Sequence, residues 1–230
     1  MRKAFRTFLI RCGLLDPAPR TFPRELICAR KAEEVDGSAM TSETPQGGWR
    51  SYAGTLMQRK WSDIFTIEVL LVEVRPKLII ELGTGSGAFS SYLATYSYLN
   101  GASFFTVDLH IKGDPQRGKN PRTLKFIEKC GGTYANADIF CAEFLASVRT
   151  WIGGCQPGEA FIYCDGGDKA REIAVFSELL RPGDWIAVHD YESEIFPKDV
   201  APLIASGRIE PWNESLFLNN NSSNRAFTIA

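Results

Sequence analysis

The 230-residue chain reads as an α/β protein: a doubly wound, mostly parallel seven-stranded sheet with an N-terminal helical extension. Three observations predict this. Short runs rich in β-branched and aromatic residues alternate with helix-length segments from about residue 61 onward, the pattern that builds a parallel sheet covered on both faces. A glycine turn, GTGSG at 83–87, directly follows the first run. The predicted core strands end on carboxylates, at Glu81, Asp108, Asp138, Asp165 and Asp190.

In chain order, residues 1–57 read as a helical extension and lid loop, and 58–230 as the core domain. If residues 2–15 are helical, Phe5, Phe8, Leu9, Cys12 and Leu15 share one face. Eight basic residues up to Lys31 stand against Asp16 and Glu25, so this segment carries +6 and the remainder about −7. Such a helix suits packing on the core or on a second subunit, which leaves a homodimer open. Residues 35–50 are polar and small, as in a loop. WSDIFTIEVLLVEV (61–74) is a buried helix capped by Ser62 or Asp63 and stopped by Pro76. KLIIEL (77–82), SFFTVDL (103–109), GTYANAD (132–138), AFIYCD (160–165) and DWIAVHD (184–190) are strands. Helices lie between them at 86–99, 121–130, 140–152 and 169–180, and another follows at 198–207. The tail from Arg208 forms a closing pair of strands around an Asn/Ser-rich turn at 219–224.

Composition narrows the function classes. A net charge of −1 and a pI near 6.2 provide no basic field for nucleic acid, which favours small-molecule chemistry. Six cysteines without a CxxC pair suggest reduced thiols and a cytoplasmic protein. No apolar run approaches the roughly 20 residues of a membrane span. Arg11 interrupts the only apolar stretch near the amino terminus, which argues against a secretory signal, so the sequons at Asn213 and Asn221 are read as accidental.

Ligands of open parallel sheets bind beyond the carboxyl ends of the strands. LIIELGTGSGAFS supplies a strand, a glycine turn that lets backbone approach a ligand, and a helix N-terminus. Gly83, Gly85 and Ala88 satisfy a loose dinucleotide fingerprint, with Asp108 as ribose ligand, so an NAD(P)-dependent oxidoreductase competes. Glu81 and Gly87 extend the motif to E-x-G-x-G-x-G. That form resembles the first motif of class I S-adenosylmethionine-dependent methyltransferases, with their Rossmann-like fold. Their ligand carries an ammonium and a sulfonium, beside which an acidic residue is favourable. The resemblance implies cofactor contacts at Glu81, Gly83, Thr84, Gly85 and Gly87, ribose binding at Asp108, and adenine contacts at Asp138 and Ile139 in NADIF.

FIYCDGGDKA (161–170) and LLRPGDWIAVHDY (179–191) are similar to metal-dependent small-molecule O-methyltransferases of the catechol, macrolide-sugar and cephamycin-pathway kinds. The likeness runs over residues 58–191 and does not reach the first 50. It implies a divalent ion, magnesium or manganese, at Asp165, His189 and Asp190, and a hydroxylated small molecule as acceptor: a natural product, a sugar or a phenol. A hard ion lowers the pKa of a hydroxyl and fixes its oxygen. Gly166 and Gly167 are expected to leave room for substrate, and Lys169 or His189 to take the proton. Asp168 occupies the place of the catechol-type lysine and is either catalytic or the N-cap of the next helix. A nitrogen ligand at His189 also admits iron or zinc. Metal-independent O- or N-methyl transfer is the alternative. His110 is expected near the site and Tyr191 to pack. Trp49, Tyr52, Trp61, Phe196 and Trp212 suit a planar or sugar acceptor, or simply the core.

Overall fold

The computed structural model describes residues 51–52, 55–57, 59–109 and 121–230. The predicted first helix, the basic segment, the 35–50 loop with Trp49, and His110 lie outside them. A two-strand hairpin, β1 (Ser51–Tyr52) with β2 (Thr55–Leu56), occupies the end of what reads as lid. Tyr52 sets its ring edge-on against Tyr92 at 5.9 Å.

The described core alternates as expected: α1 (Trp61–Val74), β3 (Leu78–Leu82), α2 (Ala88–Asn100), β4 (Ser103–Asp108), α3 (Pro121–Lys129), β5 (Thr133–Asn136), α4 (Ala142–Gly153), β6 (Ala160–Cys164), α5 (Lys169–Ser177), β7 (Trp185–Val188) and α6 (Pro197–Ala205). The closing strands β8 (Ile209–Trp212) and β9 (Arg225–Ile229) are separated by α7 (Glu214–Asn219), a short helix with too few apolar positions to show a period in the sequence. The seven-stranded sheet has the order β5-β4-β3-β6-β7-β9-β8, with β9 antiparallel to both neighbours and the other pairs parallel. After β5 the chain crosses back to place β6 on the free side of β3. The order therefore reverses at the carboxyl ends of β3 and β6, where a ligand crevice is expected.

Strand alternation sends side chains into two helical layers. Leu78, Ile80, Leu82, Ile162 and Cys164 join Val148, Ile152, Ile173 and Phe176 from α4 and α5. Ile79, Phe161 and Tyr163 meet Ile67, Leu70, Leu71, Phe89 and Leu93 from α1 and α2. Glu81 belongs to this second face and is fully buried.

The start of α1 corrects one expectation. Its N-cap is Lys60, not Ser62 or Asp63, and Asp63 sits in the first turn, where its Oδ2 accepts the Lys60 N–H at 3.0 Å. The far end closes through Arg75 in the left-handed region, φ 52°, just before Pro76.

The strand ends abut closely. Asp165 N–H donates to Leu82 O at 2.8 Å and His189 N–H to Cys164 O at 3.0 Å, continuing the ladder past the strands. Gly83 has φ +101°, and a Cβ there would lie 2.1 Å from the Asp165 carbonyl oxygen. Gly101, φ +65°, has nothing within 4 Å of such an atom. Gly83→Ala is expected to cost more than about 2 kcal/mol in urea unfolding, and Gly101→Ala about 1 kcal/mol. Equal losses would show that the close approach at Gly83 is not a constraint.

Candidate active site

The glycine turn gathers the expected cofactor residues at the ends of β3 and β4. Thr84 and Thr106 hydroxyls lie 2.7 Å apart, and Asp108 Oδ2 accepts the Gly85 N–H at 3.0 Å. Gly87 begins α2 at φ +82°, with Thr123 of α3 where a side chain would stand. Asp138 lies two residues beyond β5, its carboxylate accepting the Phe140 N–H at 2.9 Å, and Ile139 packs on the adjoining core. Glu81 Oε2 accepts from the Ser90 hydroxyl and, at 2.6 Å, from Thr106. Its Oε1 is buried without a hydrogen-bond partner. Burial lifts this carboxyl to about 7 against those hydrogen bonds and the field of Arg59. A buried carboxylate oxygen that lacks a donor, at the base of a glycine turn, fits a ligand ammonium.

The ends of β6 and β7 bring together Asp165, His189 and Asp190, with one potential ligand atom from each lying within 4.8 Å of the others. His189 Nδ1 is 3.0 Å from Asp165 Oδ1 and 3.1 Å from Asp190 Oδ2. Its Nε2 is 3.4 Å from Asp63 Oδ2. Burial and the Arg59 charge oppose protonation of the ring, but Asp165 and Asp190 outweigh them and raise it to about 10. Asp190 is held well below the usual carboxylate range by His189 and Lys169, in spite of burial. Two carboxylates and an imidazole form a donor set that suits a divalent cation, and a cation of the chain already stands against them. Lys169 Nζ lies 3.0 Å from Asp190 Oδ2 and 3.8 Å from Asp165 Oδ1. The residues therefore fit a metal ion, with His189 giving up its proton on ligation.

The other predicted residues fall differently. Asp168 is the N-cap of α5, accepting the Arg171 N–H at 3.2 Å. Lys169 is only 5% exposed and contacts Glu194 as well as Asp190 and the Gly166 carbonyl. Burial disfavours its charge, but Asp165, Glu194 and Asp190 more than compensate and raise its pKa, so it stands as a donor. Gly166 does not leave room for substrate: a Cβ there would meet Glu172 Oε1 at 2.3 Å, because that buried carboxyl accepts the Gly166 and Asp168 N–H groups at 3.0 and 3.2 Å. Gly167 has open space. Tyr191 packs beneath the Arg225 guanidinium at 4.7 Å. Trp212 is engaged edge-on with Trp185 and Phe217. A cavity of about 510 Å³ between α1 and α2, lined by Tyr52, Glu68, Tyr92 and Tyr96 among others, includes Tyr52 of the aromatic residues but none of those expected to hold the cofactor or metal.

Sequence reasoning missed two members. Arg59 pairs with Asp165 Oδ2 and the Tyr163 hydroxyl, and its guanidinium lies 4.0 Å over Phe89. Asp63 holds the opposite side: Oδ1 accepts from the Ser222 hydroxyl at 2.9 Å and the Ser223 N–H at 2.7 Å. Despite burial, His189 and these donors lower its pKa. One signal was available. Arg59 and Lys60 directly precede a helix N-terminus, where the dipole disfavours cations, so a compensating acid is required.

No family model matches the chain. Rhamnosyl O-methyltransferases of Mycobacterium bovis and Mycobacterium tuberculosis are 29% identical over 167 residues, 70% of this chain and 63% of theirs. The chain thus spans less than two thirds of the length of these relatives. The Mycobacterium leprae protein of the same name is 24% identical over 166 residues, 70% of this chain and 67% of that one. Among solved structures, CmcI-N160 in its apo form superposes with a TM-score of 0.59 at 16% identity, covering 94% of this chain and 88% of CmcI. The sheet order, the placement of the glycine turn and these likenesses give the chain the fold of the class I S-adenosylmethionine-dependent methyltransferases.

Proposed function

We propose that the protein is an S-adenosylmethionine-dependent O-methyltransferase that methylates a hydroxyl of a small molecule, with a divalent ion at Asp165, His189 and Asp190. A sugar hydroxyl is the favoured acceptor, in line with the rhamnosyl O-methyltransferases it resembles. The observation that carries this reading is the abutment of the two half-sites. The glycine turn at Gly83 touches the backbone of Asp165, so a ligand seated on the turn meets the carboxylate cluster directly.

Each half makes a separate contribution. Glu81 receives the ligand ammonium and Asp108 the ribose hydroxyls, while the 83–87 backbone lies along the ligand. S-adenosylmethionine supplies an electrophilic methyl group, and a bound divalent ion lowers the pKa of the acceptor hydroxyl. Asp165, His189 and Asp190 orient the acceptor oxygen toward that methyl. Lys169, charged and braced by Glu194, positions Asp190; as the C–O bond forms and the S–CH3 bond breaks to leave S-adenosylhomocysteine, the acceptor proton passes to solvent. Asp168 serves as a cap. Among the described residues, Cys130, Cys141, Cys155 and Cys164 are free thiols, which suits a cytoplasmic setting. Among the described residues no helix is long and apolar enough to cross a membrane.

One observation favours a second reading, methyl transfer without a metal: Arg59 and Lys169 already stand against the carboxylates. Activity of the wild type that survives thorough chelation would select it.

Asp165→Asn is expected to lower turnover on glycosidic or phenolic acceptors at least about 100-fold while leaving S-adenosylhomocysteine affinity nearly unchanged. Normal turnover in that variant would remove the metal reading. Asp108→Ala should weaken binding of the same ligand about 10-fold or more, measured by calorimetry. An unchanged dissociation constant would mean that the ribose is held elsewhere. Glu81 gives a pH signature as well. Its pKa rises from 4.5 to about 7 on folding, so its contribution to stability is fully present below about pH 4.5 and is lost as pH climbs through 7. Glu172 has the same sign and range. Denaturant midpoints of the ligand-free wild type should therefore fall across that window, and Glu81→Gln should make the fall shallower. A curve of identical slope would show that Glu81 does not titrate there.

A further inference from the structure

Both oxygens of Asp165 are engaged by cations of the chain itself. Oδ1 faces His189 Nδ1 at 3.0 Å and Lys169 Nζ at 3.8 Å, and Oδ2 is taken by the Arg59 guanidinium. The three cations differ in what they can do when a divalent ion arrives. His189 is itself one of the three residues that would ligate the ion. Lys169 keeps Glu194 and the Gly166 carbonyl as partners away from Asp165. Arg59 donates to the Tyr163 hydroxyl as well as to Asp165, and its guanidinium keeps its charge in proteins. Like charges brought onto one carboxylate repel even through a screened surface, and a divalent ion ligated by Asp165 would bring two charges against the guanidinium. Arg59 is also carried differently from the other two. It belongs to the stretch just before α1, outside any helix or strand, whereas Lys169 and His189 are fixed at the ends of α5 and β7. Its guanidinium is caged by Phe89 at 4.0 Å and Tyr163 at 4.9 Å, a pocket that rewards a cation with or without Asp165.

We propose that Arg59 is a latch on the metal site: it holds Asp165 Oδ2 in the ion-free protein and is displaced from that oxygen when a divalent ion binds. The proposal rests on the metal reading above. It couples loading of the ion to the position of the segment that precedes α1, and it gives the ion-free protein a half-buried, compensated carboxylate in place of an uncompensated negative cluster. Arg59 is thus a positioning residue that acts through Asp165.

Manganese binding to the metal-stripped full-length chain, followed by electron paramagnetic resonance, separates the possibilities. Arg59→Gln should bind Mn²⁺ at least about 10-fold more tightly than the wild type, since no cation then competes for Oδ2, and Asp165→Asn should bind it more weakly than either. Ion-free Arg59→Gln should also melt below the wild type, with a larger upward shift on adding Mn²⁺. Equal affinity in wild type and Arg59→Gln, together with weakened binding in Asp165→Asn, overturns the latch and leaves the metal site standing. Absence of binding to both wild type and Arg59→Gln overturns the metal reading and the latch with it. Should Arg59→Gln not fold, the wild type still answers. Its Arg59 Nε–H resonance, assigned by its loss from the Arg59→Lys spectrum, should move on titration with Mg²⁺. A resonance that stays in place while calorimetry records Mg²⁺ binding overturns the proposal.

Discussion

The carboxylate of Asp165 at the end of β6 is the point from which the rest of the site is organised. Its backbone N–H extends the sheet to Leu82, and its carbonyl excludes any side chain at residue 83. Its two oxygens draw Arg59, His189 and Lys169 into one buried cluster. A half-buried anion at a sheet end is tolerable only when paired, since desolvation of an isolated charge costs several kcal/mol. The surrounding fold is arranged to meet that demand. Asp63 from α1 anchors the far nitrogen of His189, and Glu194 braces Lys169. His189 and Lys169 thus each have a second acid behind them, and the Arg59 guanidinium lies against the rings of Phe89 and Tyr163.

Burial divides the site into two electrostatic regimes. Around Glu81 a carboxyl is raised to about 7 by desolvation and keeps one oxygen without a donor. Around Asp165 and Asp190 the anions are crowded by positive groups, and Asp190 stays ionised well below the usual range. The first arrangement has room in its hydrogen bonding for a cationic donor, while the second already holds cations of the protein. The proposed methyl transfer from a sulfonium to a hydroxyl would use both kinds, one to seat the cationic donor and the other to stabilise an oxyanion-like acceptor through whichever cation is present.

Much of this was legible in the sequence because the signals are local. Alternating strands and helices, a glycine turn after KLIIEL and acids at strand ends follow from side-chain period and turn chemistry over a few residues. The strands and helices of the parallel core appear where expected, and Asp165, His189 and Asp190 lie together at the ends of β6 and β7. What was hidden depends on long-range contact. Arg59 meets Asp165 across 106 residues and Asp63 meets Ser223 across 160, and neither pair leaves a periodic trace. Gly166 shows a related limit: a glycine beside an acid looks the same whether it makes room for a ligand or, as here, for Glu172. The cap of α1 was misplaced because Asp63 has the composition of an N-cap, while its side chain reaches both back to Lys60 and outward to His189.

The central claim is that the glycine turn, with Glu81 at its base, seats the S-adenosyl ligand beside the Asp165 cluster. Calorimetric titration of the metal-stripped protein with S-adenosylhomocysteine, with NADH as comparison, tests it most directly. The account predicts binding of S-adenosylhomocysteine with a dissociation constant on the order of micromolar and no heat from NADH. Binding of NADH instead would contradict it, because Glu81 would then lie beside a pyrophosphate that it repels.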